Sequence, residues 1–284
     1  MTDPVHIILN GELVEEQEAR VSPLNRGMMY GDGCFETMRY YAGSFLRWNR
    51  HFQRLQDGLE YIGIDPAFTA EELMEQVLSL LEANRLAETK AMIRIQCWRE
   101  GGRGYITDSK RMGWMIQAGK PVSNASPLKL TVAKTRCIPS AALRRKYKLS
   151  NGLNYIKAAQ EASQRQCDDS LMLTIEDMIS ETTSANIFWV KDEVIYTPSV
   201  KCDLLPGVTR EVMIEVIEDL GIKLEEGEFG LDEINKAEAV FCTNSLIEIK
   251  EVGTLDNQIF ETDHPMVMKL KTGFKQRKVQ EWTK

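Results

Sequence analysis

Six short stretches of this chain combine residue types that can do chemistry: Tyr30-Gly31-Asp32-Gly33-Cys34-Phe35-Glu36-Thr37, His51-Phe52-Gln53-Arg54-Leu55, Lys148-Leu149-Ser150-Asn151, Glu181 to Phe188, Leu205-Pro206-Gly207-Val208-Thr209-Arg210, and Thr243 to Ile249. A lysine amine such as that of Lys148 can condense with an aldehyde. It can then act as a base if desolvation or nearby positive charge lowers its pKa from roughly 10.4. Arg144, Arg145 and Lys146 are near in sequence and can supply such charge, while Lys146 and Lys157 are rival amines. Pro206-Gly207 sets a turn just before a helical pattern, so the amides of Val208 and Thr209 are candidate ligands for a phosphate dianion. The same dipeptide is also an ordinary helix start. Arg54 offers a charged, bidentate donor. Taken singly, each is also a plausible solvated surface group; order and context carry the case.

The elements that must position these residues follow from punctuation and periodicity. Asn10-Gly11 between Ile7-Ile8-Leu9 and Leu13-Val14 predicts a two-residue hairpin. Cys34 to Tyr41 and Ser44 to Arg47, broken at Ala42-Gly43, predict a second one. Phe52, Leu55, Leu59 and Ile62 recur at helical spacing, as do Leu73, Val77, Leu80 and Leu81. Strands are expected at Ala91 to Trp98 and Trp114 to Gln117. The segment AGKPVSNASP then reads as a linker. Beyond it, strands at 128–133, 171–175, 187–190, 194–196 and 239–242 alternate with helices at 153–166, 208–220 and 264–282. The expectation is a mixed α/β chain of two lobes: a small domain over 1–118, a linker over 119–127 and a large domain over 128–284. Glu181 falls after the 171–175 strand, either in a turn or, because Asn186-Ile187-Phe188-Trp189 looks like a buried strand, facing inward.

The six stretches, in their order and spacing from about Ile7 to Val252, resemble the class IV aminotransferases, a family that includes branched-chain and D-amino-acid transaminases and aminodeoxychorismate lyase. The resemblance implies the two-lobed fold type IV, with a β-barrel-like core in the larger domain, and pyridoxal 5'-phosphate (PLP) as cofactor. It implies that Lys148 carries PLP as a Schiff base, since K-x-x-N followed nine residues on by Gln160-Glu161-Ala162 is the spacing of the lyase and D-amino-acid branches. It assigns the phosphate to Arg54, Val208, Thr209, Asn244 and Ser245, and the pyridine nitrogen to Glu181. Arg99-Glu100-Gly101-Gly102-Arg103-Gly104-Tyr105 is similar to a loop of the lyase that reaches the partner subunit's site. That likeness makes Phe35, Arg99, Arg103 and Tyr105 candidate contacts to a carboxylate-bearing amino substrate in a homodimer. Phe35 stands where the D-amino-acid branch has Tyr, and that branch's Arg-x-His is missing. Transamination, which most of the family performs, is the first expectation. Pyruvate elimination from aminodeoxychorismate to give 4-aminobenzoate is the alternative, and a non-catalytic binding module a distant one.

Composition narrows the rest. The 284 residues are 43% hydrophobic and 27% charged, as in an ordinary folded chain. With 35 basic and 42 acidic side chains the formal charge is −7, which opposes binding to nucleic acid or anionic lipid. Six scattered cysteines form no C-x-x-C pair, so neither a metal site nor a disulfide framework is expected. Without a signal-like amino terminus or an apolar run of membrane-spanning length, a cytoplasmic enzyme is expected.

Overall fold

The computed structural model describes residues 5–121 and 126–283. In chain order its first half contains β1 (His6–Leu9), β2 (Glu12–Glu15), α1 (Arg26–Tyr30), β3 (Gly33–Tyr41), β4 (Phe45–Leu46), α2 (Trp48–Ile62), α3 (Ala70–Ala83), β5 (Lys90–Arg99) and β6 (Met112–Gly119). Next come β7 (Leu128–Val132), α4 (Leu153–Gln164), β8 (Asp169–Leu173), β9 (Ile179–Thr182), β10 (Asn186–Lys191), β11 (Val194–Pro198) and α5 (Val208–Asp219). The chain ends with β12 (Leu224–Gly227), α6 (Leu231–Ile234), β13 (Ala239–Asn244), β14 (Glu248–Leu255), β15 (Gln258–Ile259), α7 (Pro265–Gln280) and β16 (Trp282–Thr283). None of the described helices is long and apolar enough to cross a membrane.

The described chain falls into two units. The first holds residues up to 121, Tyr147–Asn151 and β16; the second holds 126–146 and Gly152–Glu281. Residues 122–125 of the expected linker lie outside the described residues. Tyr147–Asn151 fall within the range expected of the second domain but belong to the first unit, because their backbone adds to the end of β3.

The first unit is built on a seven-stranded sheet in the order β16-β4-β3-β5-β6-β1-β2, antiparallel throughout. Its opening hairpin turns at Asn10 and Gly11, whose φ angles of 52° and 89° suit a primed two-residue turn. Strand β3 alternates as its sequence predicts: Cys34, Glu36, Met38 and Tyr40 are buried, while Phe35, Thr37 and Arg39 face the other way and are part-buried. One member of the buried set carries a charge. Gly33 opposes Trp98 on β5, and a Cβ there would stand 2.2 Å from the Cys97 carbonyl oxygen, so the pairing that starts β3 requires glycine. Helix α3 starts at a capping box in which Thr69 and Glu72 serve each other's backbone amides.

The second unit carries a nine-stranded mixed sheet in the order β12-β11-β10-β13-β14-β7-β8-β9, with β15 attached to β14. The β11–β12, β14–β7 and β7–β8 pairs are parallel. The sheet curls until β9, at one end of the order, returns against β10 and β11, giving the barrel-like core expected. Leu171, Ile179, Ile187, Trp189, Val240, Cys242 and Val252 fill its interior. Fully buried strands read as near-continuous apolar runs, as the Ile187 to Val190 stretch does.

Candidate active site

Backbone bonds place Lys148 in the first unit. Leu149 bridges Cys34, the Phe35 amide donates to the Lys148 carbonyl at 2.9 Å, and the Ser150 amide donates to the Gly33 carbonyl at 2.9 Å. Tyr147, one residue before, stacks on Tyr61 with ring centres 4.4 Å apart. The Lys148 amine lies 4.6 Å from the centre of the Phe35 ring, and the Arg94 guanidinium lies 4.0 Å from the same centre. Arg94 donates to Gln96 Oε1 at 2.9 Å, and Gln96 Nε2 donates to Ser150 Oγ at 2.8 Å. Two cations thus flank one ring. The rivals differ: Lys146 and Lys157 are exposed, and Lys157 donates to Gln160.

Arg54 sits on α2, three residues from His51, so both project from one helix face. Both meet Glu36. Arg54 donates through Nε to Glu36 Oε1 at 2.6 Å and through a terminal nitrogen to Oε2 at 2.9 Å; His51 Nδ1 lies 2.9 Å from Oε2. Burial pushes the Glu36 carboxyl up, but the Arg54 charge and the His51 hydrogen bond outweigh it and hold the group far below its ordinary 4.5. For His51 burial dominates. The distance to Glu36 is that of an ion pair, yet desolvation drives the imidazole's pKa down, and Arg54 and Lys148 lower it further. A neutral ring beside an acceptor-only carboxylate must carry its proton on Nδ1.

In the second unit Glu181 lies on β9 and is 5% exposed, the inward-facing setting rather than the turn. Its Oε1 accepts from the Tyr155 hydroxyl at 2.7 Å, and its Oε2 accepts from the Leu205 amide at 3.1 Å and Asn186 Nδ2 at 3.4 Å. Val208 and Thr209 are the first two residues of α5, whose N-cap, Gly207, brings no side chain to the leading amides. Amides in the first turn of a helix have no partner within it and suit an anion. A Cβ on Gly207 would stand 2.3 Å from Asn186 Oδ1. Gly207→Ala is therefore expected to displace Asn186 and the start of α5 and to lower unfolding stability by about 2 kcal/mol, as measured by denaturant titration.

Two expectations change. Arg99 is 8% exposed, and its guanidinium donates to Asp32 at 2.9 Å and to the carbonyls of Gly63, Ser109 and Ile62. With four of its five N–H groups committed to the fold, it is a strut and not a substrate contact. Asn244 accepts the Leu246 and Ile247 amides, both at 2.8 Å, and donates to the Ser184 carbonyl. Its carboxamide shapes the β13–β14 turn that presents Ser245, and so is spent. Arg145 belongs to the second unit and donates to the Tyr155 hydroxyl. Arg103 and Tyr105 stay exposed on a loop braced from α1, where Arg26 donates to the Gly104 carbonyl at 2.6 Å. Arg99→Ala is accordingly expected to lower unfolding stability by about 3 kcal/mol. Arg103→Ala should leave the melting temperature in place. Paired thermal melts separate the two.

Comparison with known proteins decides the family. A family model described as amino-transferase class IV matches residues 33–253. The chain belongs to the class IV aminotransferases. It is thus an enzyme of a PLP-dependent family. A protein of Methanocaldococcus jannaschii named as a putative branched-chain-amino-acid aminotransferase is 31% identical over 276 residues, covering 95% of each chain. The aminodeoxychorismate lyase of Bacillus subtilis is 30% identical over 86% of this chain and 84% of its own. Among solved structures, the branched-chain aminotransferase of Thermoproteus uzoniensis with norvaline superposes with a TM-score of 0.92 at 27% identity, over 99% of both chains. The donor set fits the family's cofactor: an amine beside a second cation, a braced arginine, uncapped helix amides and a carboxylate held by fixed donors. Arg94, Glu36, His51 and Tyr155 are the additions that sequence reasoning did not make.

Proposed function

We propose that this aminotransferase moves the amino group between an amino acid and a 2-oxo acid, with Lys148 as the covalent carrier of PLP. When bound, PLP supplies an aldehyde for the amine and a ring that accepts electrons. The observation that carries the reading is the setting of Lys148, pinned by its backbone to β3 with its amine over Phe35, while Lys146 and Lys157 are exposed. Released from the cofactor by the substrate's amine, Lys148 takes the proton from the substrate Cα and later returns one. Arg54, the leading amides of α5 (those of Val208 and Thr209) and Ser245 hold the phosphate. Glu181 faces the ring nitrogen and keeps its proton in place.

Arg94, part-buried beside Phe35, and Arg103 read the substrate's carboxylates. The names of the archaeal relatives favour an amino acid with an aliphatic side chain. The lyase reading rests on the Bacillus subtilis relative and on the Arg99–Tyr105 likeness. Offering the holoenzyme aminodeoxychorismate beside a panel of D- and L-amino acids with 2-oxoglutarate decides between them. Release of 4-aminobenzoate with no new 2-oxo acid rejects transamination.

A cytoplasmic homodimer is part of the same proposal, in which the loop bearing Arg103 and Tyr105 reaches the other copy's site. Tyr105 and Ile106 are 91% and 92% exposed, which supports a surface to be covered. Light scattering on the purified chain tests the dimer. Arg103→Ala is expected to raise KM for a dicarboxylic substrate about tenfold with kcat retained, as for a group that binds ground and transition states alike.

A further inference from the structure

We propose that Tyr155, backed by Arg145, is the positioning residue that aims the Glu181 carboxylate at the cofactor's ring nitrogen. The inference rests on the reading of Glu181 given above. A glutamate side chain on a strand turns about several bonds, so a carboxylate that must meet one ring atom has to be fixed at both oxygens. The Leu205 amide fixes Oε2 at 3.1 Å, and the Tyr155 hydroxyl fixes Oε1 at 2.7 Å. The direction of that second bond follows from chemistry. Arg145 can only donate, so the phenol oxygen accepts from it, and the single phenol hydrogen goes to the acceptor-only carboxylate.

The Arg145 guanidinium also lies 5.0 Å from the centre of the Tyr155 ring. It is 5% exposed, and its Nε is buried with no hydrogen-bond partner, a placement that costs stability. A buried cation set against one phenol polarises that phenol as a donor. Burial first, and the Glu181 charge second, push the Tyr155 hydroxyl far above its ordinary value, so it keeps its proton near neutral pH. A donor on the carboxylate stabilises its charged form, which leaves the proton on the nitrogen that Glu181 faces.

The test uses apoenzymes of the wild type, Tyr155→Phe, Glu181→Gln and the double variant. Each is titrated with PLP and with the analogue whose ring nitrogen is replaced by C–H. Tyr155→Phe is expected to weaken PLP roughly tenfold, the effect of one hydrogen bond to a charged group, and to change the analogue's affinity less than about twofold. In the Glu181→Gln background the same substitution should change neither, because the coupling is lost. Equal weakening toward both ligands would mean that Tyr155 only supports the fold, and an unchanged affinity for PLP would remove it from the site. If Glu181→Gln alone binds both ligands as the wild type does, the Glu181 reading fails, a result distinct from either. Should Tyr155→Phe not fold, Arg145→Gln is expected to discriminate in the same direction, and equal affinities for both ligands there would overturn the proposal.

Discussion

Lys148→Ala enzyme, treated with borohydride in the presence of PLP, is expected to show no cofactor-sized increase in mass and to turn over on the order of 10³-fold more slowly than the wild type. The size of the loss follows from the two roles proposed for one nitrogen, covalent carriage and proton transfer at the substrate Cα. Neither rival amine shares that setting: Lys146 and Lys157 are exposed, whereas the Lys148 backbone is tied to β3 by bonds from Phe35 and around Leu149. Alanine keeps those backbone bonds, so the variant should melt near the wild-type temperature. Circular dichroism melting and intact-mass measurement on one sample separate lost chemistry from lost fold. A borohydride-trapped adduct that survives in the variant would move the carrier to another lysine.

The second large effect concerns stability. Glu36→Gln is expected to cost about 3 kcal/mol of unfolding free energy near neutral pH, because it leaves Arg54 and His51 in a buried site without their shared anion. The pH dependence gives it a signature. The folded-state pKa of Glu36 is depressed, so its contribution is fully present above its ordinary 4.5 and is lost as pH falls from there toward the folded value. His51 adds the same sign at higher pH. Its folded pKa lies below the ordinary 6.5, and the unfolded chain gains a proton there first as the solution is acidified. Denaturant titrations from pH 8 down to pH 3 should therefore show wild type and Glu36→Gln converging as the medium becomes acidic. Parallel curves would mean that the triad does not act as a charged unit.

How far these features could be read in the sequence depends on whether the signal is local. The Asn10-Gly11 hairpin, the α2 and α3 stripes and the strands from 187 to 196 followed from short-range periodicity and turn chemistry, and all are present. Lys148 and Glu181 were found through a family likeness; Glu181 is buried on β9, and the Lys148 amine lies over the Phe35 ring. The Glu36 triad was half legible. A glutamate in the buried phase of Cys34, Met38 and Tyr40 demands a cationic partner, and His51 and Arg54 at helical spacing answer that demand. Arg99 misled because a Gly-rich loop suggests an arginine aimed outward, whereas three backbone carbonyls and Asp32 had already claimed it. Tyr155 and Arg145 had no sequence signal. Their link to Glu181 depends on how α4 packs against the curled sheet, and no spacing rule encodes that. Strands β9, β12 and β14 were missed where charged residues break the alternation.

The detour of residues 147–151 back to β3 has a consequence for synthesis. A ribosome that has released the first 120 residues has delivered almost all of the first sheet, but not the amine that the sheet displays. The nascent chain must grow by a further stretch before the rim at Gly33 to Phe35 closes. With Lys148 as the proposed carrier, cofactor capture waits on translation past residue 151.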